Sequence, residues 1–287
     1  MGSFLLKTSA RIARLLPGPL RQGMYRLGPV TRLIRKALNR AAPAGHAEIA
    51  VAAGPLAGSR MVLDLQSEKD YWLGTYEPQL HQAMADFAGP GMTLYDIGAN
   101  IGYITLLMAR MTGETGRVFA FEALPENAAR LDEHVRLNGF ESTVTITHAA
   151  VIDANREVRF IRGASHATGR VIEPGADPQD RGDTITVPGI SIDHFVIELG
   201  HPPPDLVKID IEGGEALALS GMVRTLEMTC PVIFLELHGP DAAAAAWETL
   251  SRLQYRVHAM RTAYPRVENP GDLAQKAYLV CLPGENP

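Results

Sequence analysis

The sequence predicts an α/β fold in which a mostly parallel sheet is covered by helices on both faces. From residue 93 onward, short apolar runs of strand character alternate with longer runs of helical periodicity, the order of strand–helix–strand units. The clearest unit is residues 95–103, Tyr-Asp-Ile-Gly-Ala-Asn-Ile-Gly-Tyr, where an apolar run ends in an acid, a turn with two glycines follows, and a helical pattern begins. Such a turn presents backbone N–H groups and a carboxylate to a small ligand at the carboxyl end of the strand.

Two elements precede this alternating region, a strand over 59–65 and a helix over 77–87. Within it, the first helix, about 100–111, has apolar residues at helical spacing. The second helix begins at Pro125, which suits a first helical turn, and ends at Asn138-Gly139. The predicted strands of this region are 93–97, 117–122, 143–149, 205–211 and 231–237, and the remaining helices are about 213–228 and 241–253.

Two further segments complete the predicted architecture. Residues 155–190 are rich in glycine and proline and predict strands or loops. Two final strands, near 254–260 and 276–282, are separated by a polar loop that contains proline. This spacing favours a hairpin over a further crossover connection.

Length and composition set broad limits on the class of protein. The 287 residues are 46% hydrophobic and 21% charged, which is ordinary for a globular protein and allows one large domain with an extension or two small domains. Two cysteines are too few for a disulfide framework, so we expect a reducing, cytoplasmic compartment. No apolar run approaches the length of a membrane span, which disfavours an integral membrane protein.

Charge is distributed unevenly along the chain. Residues 1–47 contain nine Lys and Arg residues and no acid, whereas the remainder contains 18 basic and 32 acidic residues. We interpret residues 1–58 as a basic amphipathic extension and residues 59–287 as the α/β domain. The extension is predicted to pack on the domain or on a second subunit, to dock on an anionic surface such as the inner membrane, or to act as a transit peptide. Nucleic acid binding is disfavoured, because no aromatic interleaving supports it.

The glycine spacing in the turn narrows the choice of ligand. A dinucleotide-binding turn carries glycines at i, i+2 and i+5, but counting from Gly98 the latter positions are Asn100 and Tyr103. A phosphate-binding loop also fails, since no Gly-Lys-Ser/Thr follows the turn. Glycines at 98 and 102, with Glu122 placed 26 residues after Asp96 to accept ribose hydroxyls, suit S-adenosylmethionine (SAM). The alternative is a tight turn that binds no ligand.

Four ordered motifs resemble those of the FkbM family of SAM-dependent methyltransferases. They are the nonapeptide at 95–103, Val-Phe-Ala-Phe-Glu-Ala-Leu-Pro-Glu-Asn from residue 118, Leu-Val-Lys-Ile-Asp-Ile-Glu-Gly-Gly-Glu from residue 206 and Pro-Val-Ile-Phe-Leu-Glu-Leu-His-Gly from residue 231. The resemblance covers about residues 60–283. It implies that residues 59–287 form a class I methyltransferase domain, with a Rossmann-like, seven-stranded sheet whose last strand is antiparallel. It also implies O-methylation of hydroxyls on sugars or secondary metabolites.

The same resemblance implies which residues bind the cofactor. The methionine part of SAM would contact Asp96, Gly98, Asn100 and Gly102. The ribose of SAM would contact Glu122. Two positions depart from the family pattern. Ala123 stands where proline usually follows the glutamate, and residues 148–150 have no acid to contact adenine. The adenine of SAM would therefore contact either Asp153 or main-chain groups.

Ionisable residues occupy two strand ends where parallel strands are expected to be wholly hydrophobic. Because strand side chains alternate between faces, Lys208, Asp210 and Glu212 share one face of one strand. Glu236 and His238 share one face of the next. Burying such groups is costly unless they pair or bind a ligand. We therefore predict a catalytic centre here, with a bracing Lys208–carboxylate pair as the alternative role for Lys208.

Methyl transfer from a sulfonium is an in-line displacement, so catalysis depends mainly on alignment, with a base to assist the hydroxyl. His238 is the first candidate for that base, because the ordinary pKa of histidine lies near neutrality, and Asp210 is the second. The alternative is a divalent cation held by Asp210 and Glu236, which would lower the pKa of the hydroxyl.

The sequence thus predicts a SAM-dependent O-methyltransferase that acts on a hydroxyl of a saccharide, glycolipid or secondary metabolite. The alternative function is a noncatalytic SAM-binding or scaffold protein that keeps the fold, which the ionisable strand ends disfavour. A nicotinamide-dependent oxidoreductase is disfavoured by the glycine spacing.

Overall fold

The computed structural model describes residues 45–163, 169–172, 183–273 and 276–284. The backbone forms two compact units. The first includes residues 45–81 and 136–139, and the second includes residues 82–135 and the described part of 140–287. Residues 1–44, most of the basic segment, lie outside the described residues, so its contacts with a subunit or a membrane stay predictions. No helix in the described ranges is long and apolar enough to cross a bilayer.

The first unit begins with an antiparallel pair of strands. β1 (His46–Ala50) pairs with β2 (Arg60–Asp64), and α1 (Lys69–Leu73) follows. β2 confirms the strand predicted at 59–65, whereas β1 lies in a stretch where the sequence pattern predicts no strand. Buried residues of this unit include Val51, Leu56, Met61, Leu63 and Trp72.

The second unit contains the predicted seven-stranded sheet. Its strands, in spatial order, are β12 (Arg256–Ala259), β13 (Lys276–Leu282), β11 (Val232–His238), β10 (Leu206–Ile209), β3 (Thr93–Ile97), β4 (Arg117–Glu122) and β5 (Val144–His148). β13 is antiparallel to both neighbours, and every pair from β11 to β5 is parallel. This topology confirms the class I methyltransferase architecture, including the antiparallel last strand and the terminal hairpin.

Helices cover both faces of this sheet. They are α2 (Pro78–Phe87), α3 (Tyr103–Thr112), α4 (Pro125–Leu137), α5 (Glu215–Ser220), α6 (Val223–Thr229) and α7 (Pro240–Arg252). α3 lies on the Asp96 face, because Thr105 on α3 hydrogen bonds to that side chain. α5 and α7 lie on the opposite face, where Ala218 and Ala246 pack in one apolar core with strand residues such as Ile97.

Two helix boundaries differ from the sequence prediction. α3 begins at Tyr103 rather than near residue 100, because Asn100 and Gly102 have φ angles of 50° and 90°, outside the helical region. The helix predicted over 213–228 is divided into α5 and α6 at Gly221. A Cβ atom at Gly221 would lie 2.1 Å from the Ile152 carbonyl oxygen, so the helix is interrupted where two backbones meet closely.

Residues 150–190 contribute a separate four-stranded sheet, in the region predicted as strands or loops. Its order is β6 (Ala150–Val151), β9 (Thr184–Ile190), β7 (Arg156–Arg162) and β8 (Gly169–Ile172). The inward side of this sheet has an apolar cluster of its own. It includes Ile152, Val158, Phe160 and Val187.

Candidate active site

The turn after β3 contacts the end of β10. Gly98 has a φ angle of 82°, and a Cβ atom there would lie 1.9 Å from the carbonyl oxygen of Asp210. Only glycine combines this backbone angle with such a close approach. The glycine turn and the acid at the end of the next strand are therefore neighbours, as expected where the carboxyl ends of parallel strands meet.

Hydrogen bonds hold this turn from two sides. The N–H groups of Gly98 and Ala99 both donate to the carbonyl of Phe121, each at 3.0 Å. On the other side, Nδ1 of the buried His134 on α4 lies 2.6 Å from the carbonyl oxygen of Ile101. Nothing local in the sequence indicates this role for His134, because its partner is 33 positions away. The turn is thus fixed before any ligand binds.

Glu122 lies beside the turn at the end of β4. Its Oε2 accepts a hydrogen bond from the Asn100 N–H (2.8 Å), and its Oε1 accepts one from the Leu124 N–H (2.9 Å). Burial raises the pKa of Glu122, although these two N–H donors oppose the rise. A carboxylate has lone pairs left after two such bonds, so this position is compatible with the predicted contact to ribose hydroxyls.

Asp96 is fully buried beside Lys208. Thr105 Oγ1 donates a hydrogen bond to Asp96 Oδ2 (2.7 Å). Lys208 Nζ lies 3.5 Å from Asp96 Oδ1 and 3.5 Å from Asp210 Oδ2, and it donates a hydrogen bond to the Gly98 carbonyl (3.0 Å). One buried cation therefore bridges two acids and the turn. This geometry favours the bracing role of Lys208 over a direct part in the chemistry.

Two acceptors next to the turn lack hydrogen-bond donors among the described residues. Asp96 Oδ1 and Asn100 Oδ1 are both buried and accept no hydrogen bond from these residues, although Asp96 Oδ1 lies 3.5 Å from Lys208 Nζ. Buried polar atoms are nearly always hydrogen-bonded in folded proteins. Each oxygen can accept a hydrogen bond from an external donor, such as the ammonium group of an amino-acid ligand.

A second group of acids surrounds His238 at the end of β11. His238 Nδ1 lies 2.9 Å from Oε1 of the fully buried Glu215, in the first turn of α5. His238 Nε2 lies 3.0 Å from Glu236 Oε1 and 3.6 Å from Glu212 Oε2. The structure therefore brings together the three residues predicted at these positions and adds Glu215 to them.

This environment changes the protonation of His238. Burial alone would lower its pKa, but the contacts with Glu215 and Glu236, together with the charge of Glu212, raise it to about 10. Both ring nitrogens then carry a proton at neutral pH, so the imidazole cannot accept one from a hydroxyl. The general-base role predicted for His238 assumes an ordinary pKa, and this arrangement does not support it.

Lys276 approaches the same cluster from the antiparallel strand. It lies opposite His238 in the β11–β13 register, and its Nζ forms an ion pair with Glu236 Oε1. Burial would raise the pKa of Glu236, but His238 and Lys276 outweigh this and hold the pKa below its ordinary value. The sequence gives no local signal for Lys276, since the register of the hairpin places it here. Glu215 could have been found as the last residue of the motif Glu-Gly-Gly-Glu.

Asp210 and Glu212 form the more open side of the cluster. Burial raises the pKa of both carboxyl groups, against the opposing charge of Lys208 for Asp210 and of His238 for Glu212. Asp210, Glu236 and His238 each offer one ligand atom, and these atoms lie within 4.8 Å of one another. Within the described part of the chain, this group could hold a metal ion.

Asp153 has a partner of its own after β6. Its carboxylate accepts a hydrogen bond from Arg156 Nη1 (2.6 Å), and both side chains are partly exposed. This surface pair neither requires nor prevents a ligand contact. The adenine contact expected for Asp153 stays a prediction.

Comparison with known proteins matches residues 96–257 to the methyltransferase FkbM domain. A hexuronic acid methyltransferase, AglP, from Haloferax volcanii is 30% identical over 147 residues, which cover 50% of this chain and 55% of that protein. A protein-L-isoaspartate O-methyltransferase from Methanococcoides burtonii is 36% identical over 58 residues, 20% of this chain and 28% of that protein. A solved structure of a methyltransferase FkbM from Methylobacillus flagellatus KT is 19% identical, with 76% of this chain and 53% of that chain covered and a TM-score of 0.44.

These matches differ in how much of each protein they cover. The FkbM domain match covers more than half of this chain and includes the turn after β3 and the ends of β10 and β11. The chain spans about half of the length of the haloarchaeal relative and less of the other one.

Proposed function

Because the chain belongs to the FkbM methyltransferase family, we propose that it transfers the methyl group of SAM to a hydroxyl of a saccharide, glycolipid or secondary metabolite. The observation that carries this proposal is the contact between Gly98 and the Asp210 carbonyl, which joins a glycine turn to an acidic cluster at one sheet edge. Methyl transfer needs such a junction, because donor and acceptor must lie about 3 Å apart and in line.

The turn would bind the methyl donor. In the part of the chain that the structure describes, no group donates a hydrogen bond to the buried Asp96 Oδ1 and Asn100 Oδ1, and the ammonium group of the methionine part of SAM would supply such donors. Gly98 and Gly102 leave room for the ligand to approach the backbone, and Glu122 would accept the ribose hydroxyls. SAM supplies a methyl group on a positively charged sulfur, and the neighbouring acids favour that charge.

The acidic cluster would activate the acceptor. In the transfer step the acceptor oxygen attacks the methyl carbon, the carbon–sulfur bond breaks, and its electron pair stays on sulfur to give S-adenosylhomocysteine. The hydroxyl proton must pass to a base. With His238 enclosed by three acids, the carboxylates Asp210 and Glu212 on the open side of the cluster are the candidates that remain.

The relative named as a hexuronic acid methyltransferase supports a choice of acceptor class. We propose sugars, and sugar acids first among them, as the acceptors to test. Tyr278 supports this choice, because its partly exposed ring lies opposite Glu236 in the β11–β13 register. An exposed aromatic ring beside polar groups offers an apolar surface to a sugar ring.

The test separates cofactor binding from folding by replacing Asn100. Asn100→Gly removes Oδ1 and keeps the backbone, because glycine readily adopts the φ angle of 50° found there. We expect SAM affinity, measured by calorimetry, to fall about tenfold, the value of one charge-assisted hydrogen bond. The matched control is Cys230→Gly, which changes an exposed residue with a φ angle of 45° and should leave SAM affinity unchanged.

Transfer of a labelled methyl group from SAM to a panel of sugars, sugar acids and glycolipids tests the activity. Incorporation at a hydroxyl is the expected result. Tight SAM binding with no incorporation on any acceptor would favour the noncatalytic alternative. Equal losses of SAM affinity in Asn100→Gly and Cys230→Gly would show that the Asn100 side chain does not contact SAM.

A further inference from the structure

We propose that Asp210, Glu236 and His238 bind a divalent cation, and that this cation holds the acceptor hydroxyl beside the methyl donor. The role of the cation rests on the proposed function, whereas its binding can be measured without any acceptor. Two carboxylates and one imidazole, which would release its Nε2 proton when the ion binds, form a mixed set of oxygen and nitrogen ligands that suits Mn²⁺.

The spacing of the three side chains fits a single ion. Oxygen and nitrogen ligands that lie about 2.1 Å from one ion are about 3 Å apart when adjacent and about 4 Å apart when opposite. The three ligand atoms lie within 4.8 Å of one another, and His238 Nε2 and Glu236 Oε1 are 3.0 Å apart. Small rotations of side chains on neighbouring strands would bring all three to a common ion.

A buried carboxylate orients the histidine for this role. Glu215 Oε1 lies 2.9 Å from His238 Nδ1 and also accepts a hydrogen bond from the Gly213 N–H (2.9 Å). This contact fixes the ring so that Nε2 faces Glu236, Glu212 and the open side of the cluster. A carboxylate on the far nitrogen of a histidine is the common arrangement behind metal-binding imidazoles.

Glu236 Oε1 and His238 Nε2 face each other but do not form a well-aligned hydrogen bond. Glu236 is only 5% exposed, and among the residues that the structure describes Glu236 Oε1 and His238 Nε2 are buried without a hydrogen bond of good geometry, despite their 3.0 Å separation. Lys276 forms an ion pair with the same oxygen, but its side chain is half exposed and lies at the rim. Two convergent ligand atoms with no well-formed hydrogen bond are what a shared cation would satisfy.

The charge around the cluster also favours a cation. The lysines in contact with these acids are Lys208 and Lys276. The carboxylates are more numerous and comprise Asp96, Asp210, Glu212, Glu215 and Glu236. A divalent ion would offset this excess of negative charge in a largely buried site.

In the reaction, the cation would lower the pKa of the bound hydroxyl. With Asp210 occupied as a ligand, Glu212 is the carboxylate that takes the proton, since its Oε2 lies 3.6 Å from His238 Nε2 on the open side. The resulting alkoxide attacks the methyl carbon held at the neighbouring turn. The carbon–sulfur bond then breaks with its electron pair on sulfur, so no further reactant is needed.

The experiment titrates Mn²⁺ into the chelator-treated full chain, with and without SAM, and follows the free ion by electron paramagnetic resonance. We expect one ion per chain, and at least tenfold weaker binding in Glu236→Gln and in Asp210→Asn. Glu215→Gln should weaken binding about tenfold or more through the ring orientation alone. Glu198→Gln, which removes an exposed acid in contact with Arg224, should bind Mn²⁺ like the unmodified protein.

SAM affinity is the folding control for each variant. If the unmodified chain binds no Mn²⁺, or if Glu236→Gln binds SAM and Mn²⁺ as before, the site is wrong. If chelator-treated protein transfers methyl groups at an unchanged rate, the cation has no role and the proposed function stands. If Mn²⁺ binds at this site but no acceptor is methylated, the site stands and the proposed function fails.

Discussion

The turn after β3 and the acidic cluster at the ends of β10 and β11 lie side by side but are held in different ways. The turn is fixed by backbone: positive φ angles, a glycine pressed against a carbonyl, and N–H groups that donate to Phe121 and Glu122. The cluster is fixed by side-chain charge, with His238 between carboxylates and Lys276 at its edge. The backbone-held turn suits a ligand that binds in one fixed pose. The charged cluster suits a site where a proton must move from the acceptor hydroxyl to a base.

Lys208 connects these two regions, so its loss should have the largest effect. Lys208→Met keeps the length of the side chain and leaves Asp96 and Asp210 without their shared cation. Because removing one partner of a buried ion pair leaves the other charge buried and uncompensated, we expect the free energy of unfolding to fall by about 3–5 kcal/mol. Urea denaturation measures this change.

The control for that variant is Lys69→Met in α1, which removes a lysine whose Nζ donates to an exposed backbone carbonyl. It should change the free energy of unfolding by less than about 0.5 kcal/mol. A similar loss in both variants would show that Lys208 does not brace the sheet, and the direct catalytic role would regain support.

Gly98→Ala tests whether the turn depends on backbone approach. The new Cβ atom would lie 1.9 Å from the Asp210 carbonyl oxygen, at a φ angle of 82°. We expect a loss of about 2–4 kcal/mol in unfolding free energy, from overpacking and from the left-handed backbone together. SAM binding should be lost as well, because the turn must move.

The matched variant is Gly139→Ala, at a φ angle of 70° with no atom within 4 Å of the added Cβ. It isolates the backbone cost, about 1–2 kcal/mol. If Gly98→Ala were no more destabilising than Gly139→Ala, the close contact between the turn and β10 would not exist in solution.

The same contrast explains which parts of the site could be predicted from sequence. Asp96, Gly98 and Gly102 lie within seven consecutive residues, so their chemistry is visible as a motif. Strand alternation was enough to place Glu236 and His238 on one face. Both inferences depend on local geometry, which sequence specifies well.

The rest depended on contacts between distant segments. Lys276 joins the cluster only through the register of β13 on β11. Glu215 is part of the Glu-Gly-Gly-Glu motif, but its contact with His238 depends on the packing of α5. Without these two residues the sequence suggested an ordinary histidine, and the predicted base followed from that. For residues 155–190 the sequence indicated strands or loops, but it did not indicate that β6, β9, β7 and β8 pair into a separate sheet.

The smallest expected effect concerns the rim of the cluster and has the opposite sign from the other cluster variants. Lys276→Gln removes the positive charge that pairs with Glu236 Oε1. If a cation competes with Lys276 for this oxygen, the variant should bind Mn²⁺ about two- to fivefold more tightly, since a half-exposed ion pair is worth up to about 1 kcal/mol. Arg252→Gln, which removes one exposed positive charge at the C-terminal end of α7, should leave Mn²⁺ affinity unchanged. Weaker Mn²⁺ binding in Lys276→Gln would mean that the lysine positions the Glu236 carboxylate for the cation and does not compete with the cation for it.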